Sequence, residues 1–207
     1  MTLRCKKPRP LTREEKPLRD ARLFVIATED KYAPREYFRL FGNPRIKVLV
    51  LPTEDTRSAP EYVLQRLDAY KEQKQKDEKL DEDQYWLMLD TDHWIESGHV
   101  ANFNRVCSEA TQKGYQLAHS NPCFEVWLLL HVSTLKPETQ FRRGAEVVAR
   151  LREKLGEYSK RTIDAQHFPM SAIREAVARA ETADTSPDDR WPQSTGTHVY
   201  KVVKKLM

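Results

Sequence analysis

The sequence predicts an α/β fold: a mostly parallel sheet of four strands, or slightly more, with helices on both faces and a C-terminal helical extension. Three observations predict it. From Arg22 to His119, short apolar runs rich in β-formers alternate with stretches of helical periodicity, the pattern of a parallel sheet covered on both sides. After Phe124 only helical patterns remain. The 207 residues, 39% hydrophobic and 9% aromatic, suffice for one full core and are too few for two large ones.

Taken in order, the first strand is Arg22 to Thr28 (RLFVIAT), and the first helix runs from Pro34 to Phe41, with Tyr37, Phe38 and Phe41 on one face and Pro34 in its first turn. Gly42, Asn43 and Pro44 break that helix before the second strand, Ile46 to Leu51, which Pro52 closes. A second helix spans Ser58 to Tyr70, aligning Tyr62, Val63, Leu67 and Tyr70, with Ser58 or Thr56 as N-cap and Pro60 just inside its start. Lys71 to Asp83 is almost wholly charged or polar and reads as a helix end and loop. Tyr85 to Leu89 is the third strand, Val100 to Lys113 the third helix, stopped at Gly114, and Tyr115 to His119 the fourth strand. Helices are then expected at Phe124 to Val132, Phe141 to Leu155 and Ser171 to Ala180. The polar stretch from Glu181 to His198 is expected as a loop leading to a last amphipathic helix from Val199. The organisation that results is a basic arm at 1–20, a core at 21–131 and a helical extension at 132–207 packed on it.

Several function classes are disfavoured. The longest strongly apolar run, Val126 to Val132, is interrupted by His131 and falls far short of the roughly 20 residues of a membrane helix. Arg4, Lys6, Lys7 and Arg9 have no apolar stretch behind them, so no signal peptide is expected and the chain is placed in the cytoplasm. Cys5, Cys107 and Cys123 are odd in number and in no metal-ligand spacing, as expected for reduced thiols. The net charge of +4 is modest, but Met1 to Arg19 holds seven basic residues, and Lys201, Lys204 and Lys205 crowd the last helix. Such clusters suit a polyanion, or simply a solvated tail and helix face.

Parallel sheets bind ligands beyond the carboxyl ends of their strands. Glu29 follows the first strand directly, and Asp90 and Asp92 follow the third. If extended geometry persists through Thr91, the two aspartates project to the same side. Hard cations such as Mg²⁺ take oxygen ligands and keep several waters, so two or three carboxylates and a phosphate oxygen complete a shell. Singly, an Asp-x-Asp after a strand serves turns and caps as readily as a metal, and Glu29 alone reads as a solvated carboxylate. It is the combination on two strands at one edge that points to a cation. Asn121-Pro122 turns the chain out of the fourth strand, and Glu125 stands in the first turn of an apolar helix, a capping position as much as a site position. Ser120 and Asn121 offer phosphate contacts or a turn. His93, beside the paired aspartates, is the better candidate for proton transfer, whereas His119 and His131 more often satisfy buried hydrogen bonds.

These residues resemble those of the RloB-like proteins, a bacterial family with a Toprim-type fold found near mobile-element and phage-defence genes. Toprim domains carry an acidic residue after the first strand, matched by Glu29, and Asp-x-Asp after a later one, matched by Asp90 and Asp92. The resemblance to the family itself is more specific. Glu29 stands eight residues before Tyr37-Phe38, SNPCFEVWLLLH (Ser120 to His131) matches a typical stretch, and Ser194-Thr195 with Val199-Tyr200 is similar to its closing helix. Two positions depart: Asp30 stands where Gly is usual after the first acidic residue, and His93 where a further acidic residue commonly follows the Asp-x-Asp.

The resemblance implies a Toprim-like nuclease of anti-phage defence that uses Mg²⁺ or Mn²⁺ to hydrolyse RNA, such as tRNA, or DNA. Glu29, Asp90 and Asp92 are then metal ligands and, with His93, the catalytic set, while Asp30, Ser120, Asn121 and Glu125 lie around them or against substrate. It also implies an ATPase partner. The competing expectation is a non-catalytic regulatory subunit of a complex with such an ATPase. Primase or topoisomerase activity is not expected, because those relatives need further domains that these residues do not form.

Overall fold

The structure is a computed structural model, and it describes residues 21–53, 57–75, 83–92, 94–95, 98–136 and 138–207. The basic arm at 1–20, with Cys5, and also Thr56 and His93 lie outside the described residues.

Four strands form one parallel sheet in the order β2-β1-β3-β4: β1 (Arg22–Thr28), β2 (Ile46–Leu51), β3 (Gln84–Met88) and β4 (Gln116–Leu117). Side-chain alternation sorts the two faces. Phe24 and Ile26 of β1, with Trp86 and Met88 of β3, face a layer made by α1 (Ala33–Phe38), α4 (Glu125–Val132), α5 (Gly144–Leu155), α6 (Met170–Ala183) and α7 (Val199–Leu206). Leu23, Val25 and Ala27, with Tyr85, Leu87 and Leu89, face α2 (Pro60–Gln75) and α3 (Val100–Gln112). Both faces of β1 and β3 are therefore dry, which is why these strands read as continuous apolar runs.

The apolar α4 sits between sheet and extension: its Val126, Trp127, Leu128, Leu129 and Leu130 share one core with Val147, Ile173, Val177 and Val203. One cluster thus spans residues on both sides of position 131. Helix bounds differ modestly from the sequence reading. α1 ends at Phe38 and gives way to turns, α2 runs on to Gln75, and α5 starts at Gly144 because Arg143 is extended (φ −135°, ψ 145°) and the Glu146 carboxylate accepts the Arg142 N–H at 2.8 Å.

The expected fourth strand is cut short by a side chain. Ala118 and Ser120 donate N–H groups to the Leu87 and Leu89 carbonyls (3.0 and 3.1 Å), but the N–H of Leu89 donates to His119 Nδ1 at 3.1 Å. A second, two-stranded antiparallel sheet follows, β5 (Ser120–Asn121) with β6 (Gly196–Thr197). It corrects the reading of 181–198 as loop throughout: this pairing is too short for periodicity and is held by contacts far apart in sequence. Ser120 Oγ lies 2.7 Å from Thr197 Oγ1, Asn121 Nδ2 donates to the Pro192 carbonyl at 2.9 Å, and His198 N–H to the His119 carbonyl at 2.7 Å. Cys107 and Cys123 are buried free thiols. Among the described residues, no helix is long and apolar enough to cross a membrane.

Candidate functional site

Main-chain pairing carries Glu29 and Asp90 to the same edge, since Thr28 is in register with Met88. The end of β1 is fixed from both sides. Arg66 of α2 and Thr53 both donate to the Thr28 carbonyl (2.8 and 3.1 Å), and Thr28 Oγ1 donates to the Asp30 carbonyl at 2.7 Å. Glu29 projects from this pinned turn, and the Trp94 indole N–H lies 3.2 and 3.3 Å from its two carboxylate oxygens.

Beyond β3, Asp90 forms a bridge with Ser120, and its Oδ1 accepts the Phe124 N–H at 2.9 Å. Thr91 N–H donates to the Ser120 carbonyl and Asp92 N–H to that of Pro122 (2.9 and 3.0 Å); a turn follows, with Trp94 N–H returning to the Thr91 carbonyl at 2.8 Å. The Asp-x-Asp thus straddles the passage from extended chain to turn. Asp92 meets the start of α5: a β-carbon on Gly144 would lie 3.7 Å from Asp92 Oδ2 and 3.2 Å from Cys123 Sγ.

The remaining acidic candidates converge from other elements. Asp30 Oδ1 accepts the N–H groups of Tyr32 and Ala33 (2.6 and 3.0 Å), fixing the turn that leads into α1. Glu125, at the start of α4, is fully buried; its Oε1 lies 2.9 Å from Lys160 Nζ and accepts from Tyr158 OH at 3.1 Å, while Oε2 has no protein partner among the described residues. Lys160, from the segment after α5, also reaches Asp30 Oδ2 at 2.8 Å.

The electrostatic consequences follow from burial among like charges. Burial pushes the Glu29 carboxyl up to about 7, with Asp92 and Asp30 adding repulsion against the opposing pull of Trp94 and the Asp90 backbone. Asp90 is held well above the usual carboxylate range by burial first, then by Glu29 and Glu125. Burial works against the charge on Lys160, but Glu125 and Asp30 outweigh it and raise the ammonium above its ordinary value. Cys123 is raised by burial and by Glu125 and Asp90, so it stays a thiol, not a nucleophilic thiolate.

Glu29, Asp90 and Asp92 therefore share one edge and one electrostatic neighbourhood, joined by Asp30 and Glu125. Among the described residues, no three His, Cys, Asp or Glu side chains stand close enough to hold a metal ion unaided. Ser120 and Asn121, the candidate phosphate contacts, are engaged with Thr197 and Pro192. His131 is buried between Tyr37 OH (3.1 Å) and the Trp127 carbonyl (2.9 Å), and burial lowers its pKa to about 4; His119, lowered by burial to about 3, serves the sheet. The lysines of α7 are also engaged: Lys201 with the Pro187 carbonyl, Lys204 with Glu181, and Lys205 over the Trp86 ring.

Sequence reasoning did not single out Trp94, Tyr158 or Lys160. An aromatic two residues past the Asp-x-Asp was a usable signal for Trp94. Tyr158 and Lys160 lie in an aperiodic polar stretch with no such mark.

The model of the RloB-like protein family matches residues 24–206, nearly the whole chain. The chain belongs to the RloB-like family. No curated protein and no solved structure matches it. The matched span takes in Glu29, Asp30, Asp90, Asp92 and Glu125, together with Lys160 and the closing β6–α7 segment.

Proposed function

We propose that this RloB-like chain is a Mg²⁺- or Mn²⁺-dependent nuclease that hydrolyses nucleic-acid phosphodiester bonds in bacterial anti-phage defence. The observation that carries the reading is the half-buried carboxylate edge at Glu29 and Asp90, with Asp92 adjacent: burial raises both carboxyls, Asp92 and Asp30 add to the rise at Glu29, and Glu29 and Glu125 add to it at Asp90. Such an edge is costly for a metal-free fold, and a hard cation relieves it. The donor set fits in kind: Glu29, Asp90 and Asp92 offer only oxygens, the ligand atoms a hard cation prefers. Glu29, Asp90 and Asp92 are the residues that would hold it. When bound, the cation supplies Lewis acidity toward a phosphate and makes a water more acidic.

The chain's own residues do the rest. Glu29 either joins that ligand set or takes a proton from an attacking water, and the Trp94 indole N–H fixes its orientation. Phe124 N–H holds Asp90 in place. Lys160 Nζ pairs with both Asp30 and Glu125. His93 belongs to the proposed catalytic set as the neighbour of Asp92. Substrates are RNA, tRNA among them, or DNA, and a partner ATPase is part of the proposal by family resemblance.

One observation favours a second reading, a non-catalytic subunit regulated by that ATPase: Lys160 already supplies a cation to two of the carboxylates. Incubating the purified chain with labelled tRNA, single-stranded RNA and plasmid DNA, with Mg²⁺, Mn²⁺ or chelator, separates the two. The nuclease reading expects metal-dependent cleavage that falls at least ~100-fold in Asp90→Ala and Glu29→Ala. Cleavage of equal strength in chelator, or in either variant, overturns it.

A further inference from the structure

The acidic centre is flanked by basic side chains that the hydrolytic reading leaves unused. Arg142 and Arg143 are exposed immediately before Gly144, the residue that packs against Asp92 and Cys123. Lys31 and Arg161 flank the Tyr32 ring, with Nζ and the guanidinium carbon 5.7 and 5.2 Å from its centroid. Asp30 ties this second group to the centre, because it caps the turn at Tyr32 and pairs with Lys160, the neighbour of Arg161.

None of these four cations has a carboxylate partner among the described residues, although carboxylates stand nearby. Much of the basic surface elsewhere is neutralised: Arg39 by Glu36, Arg105 by Glu109, Lys113 by Asp68, Arg150 by Glu153 and Arg179 by Glu175. Exposed unpaired guanidinium groups are the side chains best suited to phosphate oxygens, which they grip in bidentate fashion. The Tyr32 ring restrains two of the four by cation–π attraction, so less rotamer freedom is lost when they bind.

We propose that Lys31, Arg142, Arg143 and Arg161 form a phosphate-contacting rim that seats a nucleic-acid strand across the carboxylate centre, between the start of α5 and Tyr32. The inference rests on the nuclease reading for its purpose but is tested by binding alone. All four groups are cations, so the rim reads the backbone and not the bases; binding depends steeply on salt and weakly on sequence.

The experiment measures anisotropy of fluorescent single-stranded RNA and DNA with the full chain in chelator, titrating salt from about 50 to 200 mM. The expected log–log slope for the wild type is about −3, as for four single-strand phosphate contacts. The quadruple glutamine variant loses ~100-fold or more in affinity and most of its slope, and Arg142→Gln or Arg161→Gln alone lowers the slope by about 1. Arg105→Gln with Lys113→Gln, on the ion-paired α3 face, binds as the wild type does. Unchanged affinity and slope in the quadruple variant, or a wild type that binds no strand, overturns the rim. Binding through the rim without any metal-dependent cleavage leaves the rim standing and removes the hydrolytic reading instead.

Discussion

Glu29 carries a pH dependence whose sign is fixed by its surroundings. Its carboxyl is raised from 4.5 to about 7, chiefly by burial and further by Asp92 and Asp30, so across that window the folded chain keeps a proton the unfolded chain has released. Stability of the metal-free fold therefore falls as pH rises from about 4.5 to about 7, and a constant deficit remains above it. Glu29→Gln removes the deficit: denaturant unfolding at about pH 8 is expected to show a gain of about 1–3 kcal/mol, with little change at about pH 4. A loss at pH 8 would show that the Trp94 contact outweighs burial. Lys160 behaves oppositely. Lys160→Met leaves the fully buried Glu125 with only Tyr158 as donor and is expected to cost about 3 kcal/mol, less than a wholly buried pair because Lys160 is half-exposed. Adding Glu125→Gln should recover most of that loss, and a double variant as unstable as the single would place the role of Lys160 elsewhere. The acidic members of this group were legible because carboxylates at strand ends have a reason to be there. Lys160 was not, because a single lysine in a polar segment looks like any solvated one until folding lays it on Glu125.

Among the elements, β1 and β3 were legible nearly to the residue because burial on both faces writes an apolar run, and β2, a half-exposed edge strand, because its β-formers are bounded by Pro44 and Pro52. β4 was not, since its ladder is continued by an imidazole in place of a carbonyl. His119 Nδ1 accepts the Leu89 N–H, and its Nε2 lies 3.4 Å from Cys107 Sγ, so the ring is neutral with its proton on Nε2. His119→Leu, close to it in volume, strands a buried N–H one residue before Asp90. The expected cost is about 2–3 kcal/mol, and hydrogen exchange at the Leu89 amide should accelerate more than at Val25 on the neighbouring strand. Equal protection of both amides would show that another acceptor replaces the ring. The β5–β6 pair was hidden for a related reason. Its stability comes from Ser120, Asn121 and His198 acting across more than seventy residues of chain. Asn121-Pro122 was visible as a motif, but not the pairing of Asn121 with Gly196 and Pro192.

At the scale of the whole molecule, the parallel sheet places two strand ends, a helix start and the segment after α5 around one acidic edge, so cation binding and global stability are linked. A cation that binds only the folded chain stabilises it by mass action, about 3 kcal/mol at about 100 times its dissociation constant. For a chain of this length that corresponds to a rise of about 5–10 °C in unfolding temperature. Protons compete for the same oxygens: burial first, then Asp92 and Asp30, raise Glu29 to about 7, so at about pH 5.5 it holds a proton in the fold that a cation must displace, and the rise at Asp90, from burial and its acidic neighbours, acts in the same direction. Thermal unfolding with Mn²⁺ is therefore expected to show the full increment at about pH 8, less than half of it at about pH 5.5, and none in Asp90→Asn, with chelator reversing the gain. An increment independent of pH, or one that survives in Asp90→Asn, would mean that Mn²⁺ binds elsewhere on the molecule and that the carboxylate edge tolerates its own repulsion without a cation.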